Sequence, residues 1–215
     1  MRLAAVQVDA ELEGYMESLL PPREPVLARI ERELEEDRVP AIGPLVGQLL
    51  SLQLRLRGAG DVVELGTATG YSAIWLARGC SGRVVTLETD PERAARARAN
   101  IAEAGLADRI EVREEDGLRY LEGGGEPVDC VFNDLLNSFP DERVVERCFE
   151  LSLGRLNPGG LLLADNALGR GQVVHPDSRQ ARNIARYNRL IAEAPGLQSL
   201  IVPLRDGVSI AWLQP

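Results

Sequence analysis

The chain has 215 residues and a formal net charge of −9, with 45% hydrophobic and 27% charged residues. That is enough for one domain with a packed core, and the acidic balance argues against a general nucleic-acid binder, which needs Lys and Arg clustered against phosphates. No apolar run approaches the roughly 20 residues that span a bilayer, and the stretch MRLAAVQVDAELEGY turns acidic before a signal-peptide core forms, so a cytoplasmic protein is expected.

Asp9 can cap a first helix through Leu12, Tyr15, Met16 and Leu19, which follow helical spacing and stop at Pro21-Pro22. A second helix is expected from about Arg23 to Glu36. A third, through Leu45, Leu49, Leu50 and Leu52, follows the loop 40–44. From Asp61 onward short apolar runs alternate with amphipathic segments. Strands are predicted at 62–65, 83–88, 109–114, 128–133 and 160–165, and helices near 71–79, 91–105, 140–153 and 177–194. Such alternation predicts an α/β fold, a Rossmann-like, seven-stranded, mostly parallel sheet with helices on both faces. The last two strands, near 197–203 and 207–213, are joined by the short turn Arg205-Asp206-Gly207 and must form an antiparallel hairpin. One domain results, with residues 1–57 as an N-terminal helical cap and 58–215 as the core. Gly123-Gly124-Gly125 marks a flexible loop.

Cys80, Cys130 and Cys148 are odd in number and far apart. They provide neither zinc-ligand spacing nor a disulfide framework, and buried thiols are expected. His175, the only histidine, reads as a loop residue before Pro176. Any metal here is therefore a hard cation held by oxygens.

The strongest local pattern is Glu64-Leu65-Gly66-Thr67-Ala68-Thr69-Gly70-Tyr71-Ser72, which leaves the first strand and opens a helix. Glycines at 66 and 70 let backbone approach a ligand closely, and the helix start offers free amides. A nicotinamide site would show G-x-G-x-x-G for pyrophosphate. Here the spacing is G-x-x-x-G, with Glu64 placed to repel pyrophosphate and to organise a cationic ligand. S-adenosylmethionine, with its ammonium and sulfonium, fits that charge. Glu88 closes the second strand, where a carboxylate can accept from both ribose hydroxyls. Asp116-Gly117, after the third strand, falls where an adenine edge would lie, or Asp116 caps the next helix.

Strand four ends at Asn133-Asp134 and strand five at Asp165-Asn166. Ligands of open α/β sheets gather at these carboxyl ends. Asp134, Asp165 and Asn166 together supply oxygen donors suited to Mg2+ or a related divalent ion. Taken singly, each is also an ordinary turn or cap residue.

Across these motifs the chain resembles the cation-dependent O-methyltransferases of the catechol and caffeoyl-coenzyme A type. The resemblance runs from about Pro40 to Trp212 and includes PAIGPLVGQLL, VELGTATGYSAIWLA, LNPGGLLLADNALGRGQV and PLRDGVSIAW. It implies that Glu64, Gly66, Ser72, Glu88 and Asp116 line the cofactor site with Ile42 covering it. It further implies that Asp134, Asp165 and Asn166 hold the metal, and that the protein forms homodimers. A small hydroxylated acceptor is the implied partner.

One departure stands out. The family pattern D-x-D-K carries a lysine that helps to deprotonate the hydroxyl, and this chain reads Asp134-Leu135-Leu136-Asn137. Asp134 and Asn137 are thus the candidate catalytic residues, although asparagine cannot serve as the base. Asn133 also replaces an expected apolar residue. Two alternatives stay open: methylation of hydroxylated uridine in transfer RNA, using a rim of Arg38, Arg170, Arg179 and Arg182, and a module that binds S-adenosylmethionine with little catalysis.

Overall fold

Val62–Leu65, buried at every position, form strand β1 in the middle of a sheet and pair in parallel with a neighbour on each side. A computed structural model of the chain describes residues 8–215. The expected lack of a signal-peptide core falls mostly on residues 1–7, outside the described residues. The other strands are β2 (Val84–Glu88), β3 (Ile110–Glu114), β4 (Val128–Asn133), β5 (Leu156–Ala164), β6 (Leu197–Val202) and β7 (Val208–Leu213), in the order β3-β2-β1-β4-β5-β7-β6. β1 to β5 run parallel, and β7 is antiparallel to both β5 and β6. The expected C-terminal hairpin is present, with its second strand rather than its first against β5. β5 starts four residues before its predicted position. Its pairing with β4 shifts register between Val128 and Cys130, which accommodates Pro158, a residue with no N–H to give the ladder.

The helices are α1 (Ala10–Ser18), α2 (Pro25–Glu36), α3 (Gly43–Arg57), α4 (Tyr71–Gly79), α5 (Pro91–Glu103), α6 (Gly117–Glu122), α7 (Glu142–Gly154) and α8 (Arg179–Glu193). A 3₁₀ segment at Gly169–Val174 lies between β5 and α8 and was not anticipated. Asp9, Asp90, Asp141 and Ser178 cap α1, α5, α7 and α8 through their side chains, accepting backbone amides that would otherwise lack partners. α3 ends at Gly58 in the left-handed conformation.

Two apolar layers sandwich the sheet. Along β5, Leu161 and Leu163 face the layer built from α2 to α5, while Leu162 and Ala164 face the layer built from α7 and α8. Ile30, Leu50, Leu54 and Ile74 fill the first layer, and Phe149, Ile184 and Tyr187 the second. Burying each such side chain contributes about 1.5–3 kcal/mol. All three cysteines are free and buried, and His175 is exposed at the end of the 3₁₀ segment. Gly123, Gly124 and Gly125 are exposed, with open space around Gly124, while a Cβ on Gly125 would sit 2.6 Å from the Arg155 guanidinium nitrogens. Among the described residues no helix is long and apolar enough to cross a membrane.

The strand order reverses direction at β1. From there the chain builds outward through β2 and β3 on one side and through β4 and β5 on the other. The crevice at the carboxyl ends of β1 and β4 is therefore where a ligand is expected.

Candidate active site

The Glu64 side chain is fully buried, and its Oε2 accepts from the Thr86 hydroxyl at 2.6 Å. Thr86 stands directly across the β1–β2 register and also meets the Thr67 hydroxyl at 2.6 Å. Glu64 Oε1 has no partner in hydrogen-bonding geometry. Burial drives this carboxyl up to about 7, against the pull of the Ser72 and Thr86 hydroxyls, and the neighbouring Glu88 adds to the rise. A buried carboxylate oxygen without a donor is costly unless a cation or donor reaches it.

Beyond Glu64 the chain turns sharply. Gly66, Ala68 and Gly70 all have positive φ, at 98°, 47° and 80°. A Cβ on Gly66 would approach Leu135 at 3.1 Å, and one on Gly70 would meet Ala97 of α5 at 3.3 Å. The Gly70 position thus serves α4–α5 packing, while Gly66 lets the turn after β4 come close. Glu88 closes this loop from β2. Its Oε2 accepts from Ala68 N, and its Oε1 accepts from Thr89 N and Asp90 N. Three of its roughly four acceptor sites are then taken. Asp116 caps α6, its Oδ1 accepting from Arg119 N at 2.9 Å, and is an exposed residue. Gly117 is buried beneath Leu65.

Asp134 N donates to Leu65 O at 3.0 Å and Asp165 N to Asn133 O at 3.2 Å, which places both aspartates one step past the ends of neighbouring parallel strands. Their carboxyls are raised well above the ordinary range, chiefly by burial. Asp165 and Glu64 add repulsion at Asp134, as Asp206 does at Asp165. Arg205 eases the rise at Asp165 but pairs with Glu13, at 3.9 Å. Asn166 follows with φ 61°, a left-handed conformation that asparagine tolerates better than most residues. Asn133 accepts from Leu135 N at 2.9 Å and reaches Cys148, so this polar residue shapes the turn that presents Asp134.

Asp134, Asp165, Asn166 and Asn137 line one cleft of about 610 Å³, together with Gln180 and Arg205. A second, narrow crevice of about 30 Å³ lies between the strap Val39–Ile42 and the loop Thr67–Ser72. Ile42 and Asp134 line both spaces. Sequence reasoning missed Thr86, whose partner is set by strand register, and Gln180, whose contact with Asn137 spans 43 residues. Among the described residues no group of three or more His, Cys, Asp or Glu side chains is placed to hold a metal ion; at the strand ends the cleft has the two carboxylates of Asp134 and Asp165 and the amide of Asn166.

Residues 25–213 match a family model described as O-methyltransferase. The catechol O-methyltransferase of Niastella koreensis is 32% identical over 220 residues, covering 95% of this chain and 97% of that protein. The catechol O-methyltransferase of Mycobacterium tuberculosis is 34% identical over 200 residues, covering 89% and 88%. Among solved structures, the O-methyltransferase from Bacillus cereus in complex with SAH superposes with a TM-score of 0.81 at 32% identity, covering 95% of this chain and 97% of that one.

Proposed function

The chain belongs to the O-methyltransferase family, and from that premise we propose that it transfers the methyl group of S-adenosylmethionine to a hydroxyl of a small catechol-like or phenolic acceptor, assisted by a divalent cation, with Mg2+ the expected ion. The observation that carries this reading is that Asp134, Asp165 and Asn166 line one cleft, with Asp134 and Ile42 shared by the crevice over the glycine loop. Donor and acceptor would meet across Asp134.

The residues present fit both groups. Glu64 Oε1 is a buried acceptor in want of a donor, which suits a cationic ligand. Glu88 Oε2 has one acceptor site for a ribose hydroxyl, and the exposed Asp116 is available to an adenine edge. Asp165 is buried and Asp134 half-buried, and their carboxylates repel one another, an arrangement that calls for a counter-charge. With the Asn166 oxygen they make three hard oxygen donors of the kind that would suit Mg2+. Asp134, Asp165 and Asn166 would hold such a cation, which would supply the lowering of a bound hydroxyl's pKa.

The remaining work falls to the chain itself. The cleft walls would have to align the acceptor oxygen with the methyl carbon, and positioning of this kind supplies much of the acceleration. Asn137 carries an amide that takes no proton at neutral pH. The acceptor therefore brings an acidic hydroxyl, or loses its proton to a group other than residue 137. What Asn137 can offer an ionised hydroxyl is a hydrogen bond.

Titration calorimetry tests the cofactor half of the reading. The expected result is binding of S-adenosylmethionine and none of a nicotinamide dinucleotide. Absence of S-adenosylmethionine binding, or preference for the dinucleotide, contradicts it.

A further inference from the structure

Asn137 is held at both ends. Gln180 Nε2, in the first turn of α8, donates to Asn137 Oδ1 at 2.6 Å, and Asn137 Nδ2 donates to Asn166 Oδ1 at 2.6 Å. Three carboxamides from three separate segments, the turn after β4, the turn after β5 and the start of α8, form a relay that runs in one sense. All three line the 610 Å³ cleft. Gln180 and Asn137 are exposed, so neither is needed to fill a core.

A carboxamide has its donor and its acceptor on opposite branches of one plane. Fixing the sense at one end of the relay therefore fixes it at the other. Asn166 can serve a cation only through its oxygen, and that oxygen keeps a lone pair beside the one Asn137 uses. We propose that Gln180 is a positioning residue which, through Asn137, holds the Asn166 amide with its oxygen presented as the ligating atom. This rests on the cation site argued above. The asparagine at 137, unable to move a proton, gains a definite task. Partners of this kind behind a metal ligand are typically worth about 10- to 100-fold in metal affinity.

Substitution at 180 tests the relay by its sense. Gln180→Ala removes the end of the chain. Gln180→Glu inverts it: a carboxylate only accepts, so Asn137 turns its Nδ2 toward residue 180 and its oxygen toward Asn166, whose own nitrogen then replaces the ligating oxygen. Mn2+ binding to the full chain, without S-adenosylmethionine or acceptor, is read from the loss of the free-ion electron paramagnetic resonance signal. The expected result is roughly 10-fold weaker binding in Gln180→Ala, and binding at least as weak in Gln180→Glu despite the added negative charge. Both variants should keep the wild-type melting temperature. Wild-type affinity in Gln180→Ala, or tighter binding in Gln180→Glu as simple charge attraction demands, overturns the relay alone. A wild-type chain that binds no Mn2+ overturns the cation site and the relay with it.

Discussion

Glu64 is the residue whose chemistry is most exposed to experiment. Its carboxyl is held at about 7 in the folded chain against an ordinary 4.5, chiefly by burial. The folded state thus binds the proton more tightly than the unfolded one, and stability falls as pH rises from about 4.5 to 7, then levels. At about 1.4 kcal/mol per pH unit, the loss comes to about 3 kcal/mol. Glu64→Gln removes that dependence, so the variant should be more stable than the wild type at pH 8 by up to about 3 kcal/mol, with the gap closing near pH 4.5. Denaturant melts at the two pH values check this, and a gap that does not change with pH contradicts it. A cation at Oε1 selects the ionised form, so wild-type affinity for S-adenosylmethionine should climb toward pH 7 while that of Glu64→Gln stays flat and weaker.

At the scale of elements, the strap Val39–Ile42 between α2 and α3 bears on how the cofactor enters. The crevice beneath it, about 30 Å³, is far smaller than the several hundred Å³ of a small-molecule pocket. Binding should therefore displace the strap and then be covered by Ile42. Amide hydrogen exchange at Ala41 and Ile42 is expected to slow on saturation with S-adenosylmethionine, with β1 unaffected. Unchanged exchange at these two residues means that the ligand sits elsewhere. The strap is bounded by a pattern that is plain in the sequence, the end of one helix before Pro40 and the start of the next after it. Other element features were less plain. Leu156 and Asn157 belong to β5 across Pro158 and Gly159, which the predicted strand at 160–165 left out, because a register shift against β4 absorbs them. β7 rather than β6 took the place beside β5, and nothing in a short turn between two similar strands decides which is inner.

For the molecule as a whole, the sequence exposed those parts of the site that lie at strand ends. Glu64, Glu88, Asp116, Asp134 and Asp165 each lie within two residues of the carboxyl end of a strand, and an open α/β sheet brings such ends to one edge. Family membership follows from the same motifs. Thr86 and Gln180 were illegible because their roles arise across strand register and across 43 residues of chain. The amide relay could not be inferred from the Lys-to-Asn departure alone. The central claim is cation-dependent methyl transfer at the cleft, and the most direct test is methyl transfer from S-adenosylmethionine to a panel of catechols with Mg2+ or EDTA. The expected result is transfer that EDTA abolishes and excess Mg2+ restores, fastest for the catechols with the most acidic hydroxyls. Transfer at full rate in EDTA, or none to any catechol with Mg2+ present, contradicts the claim.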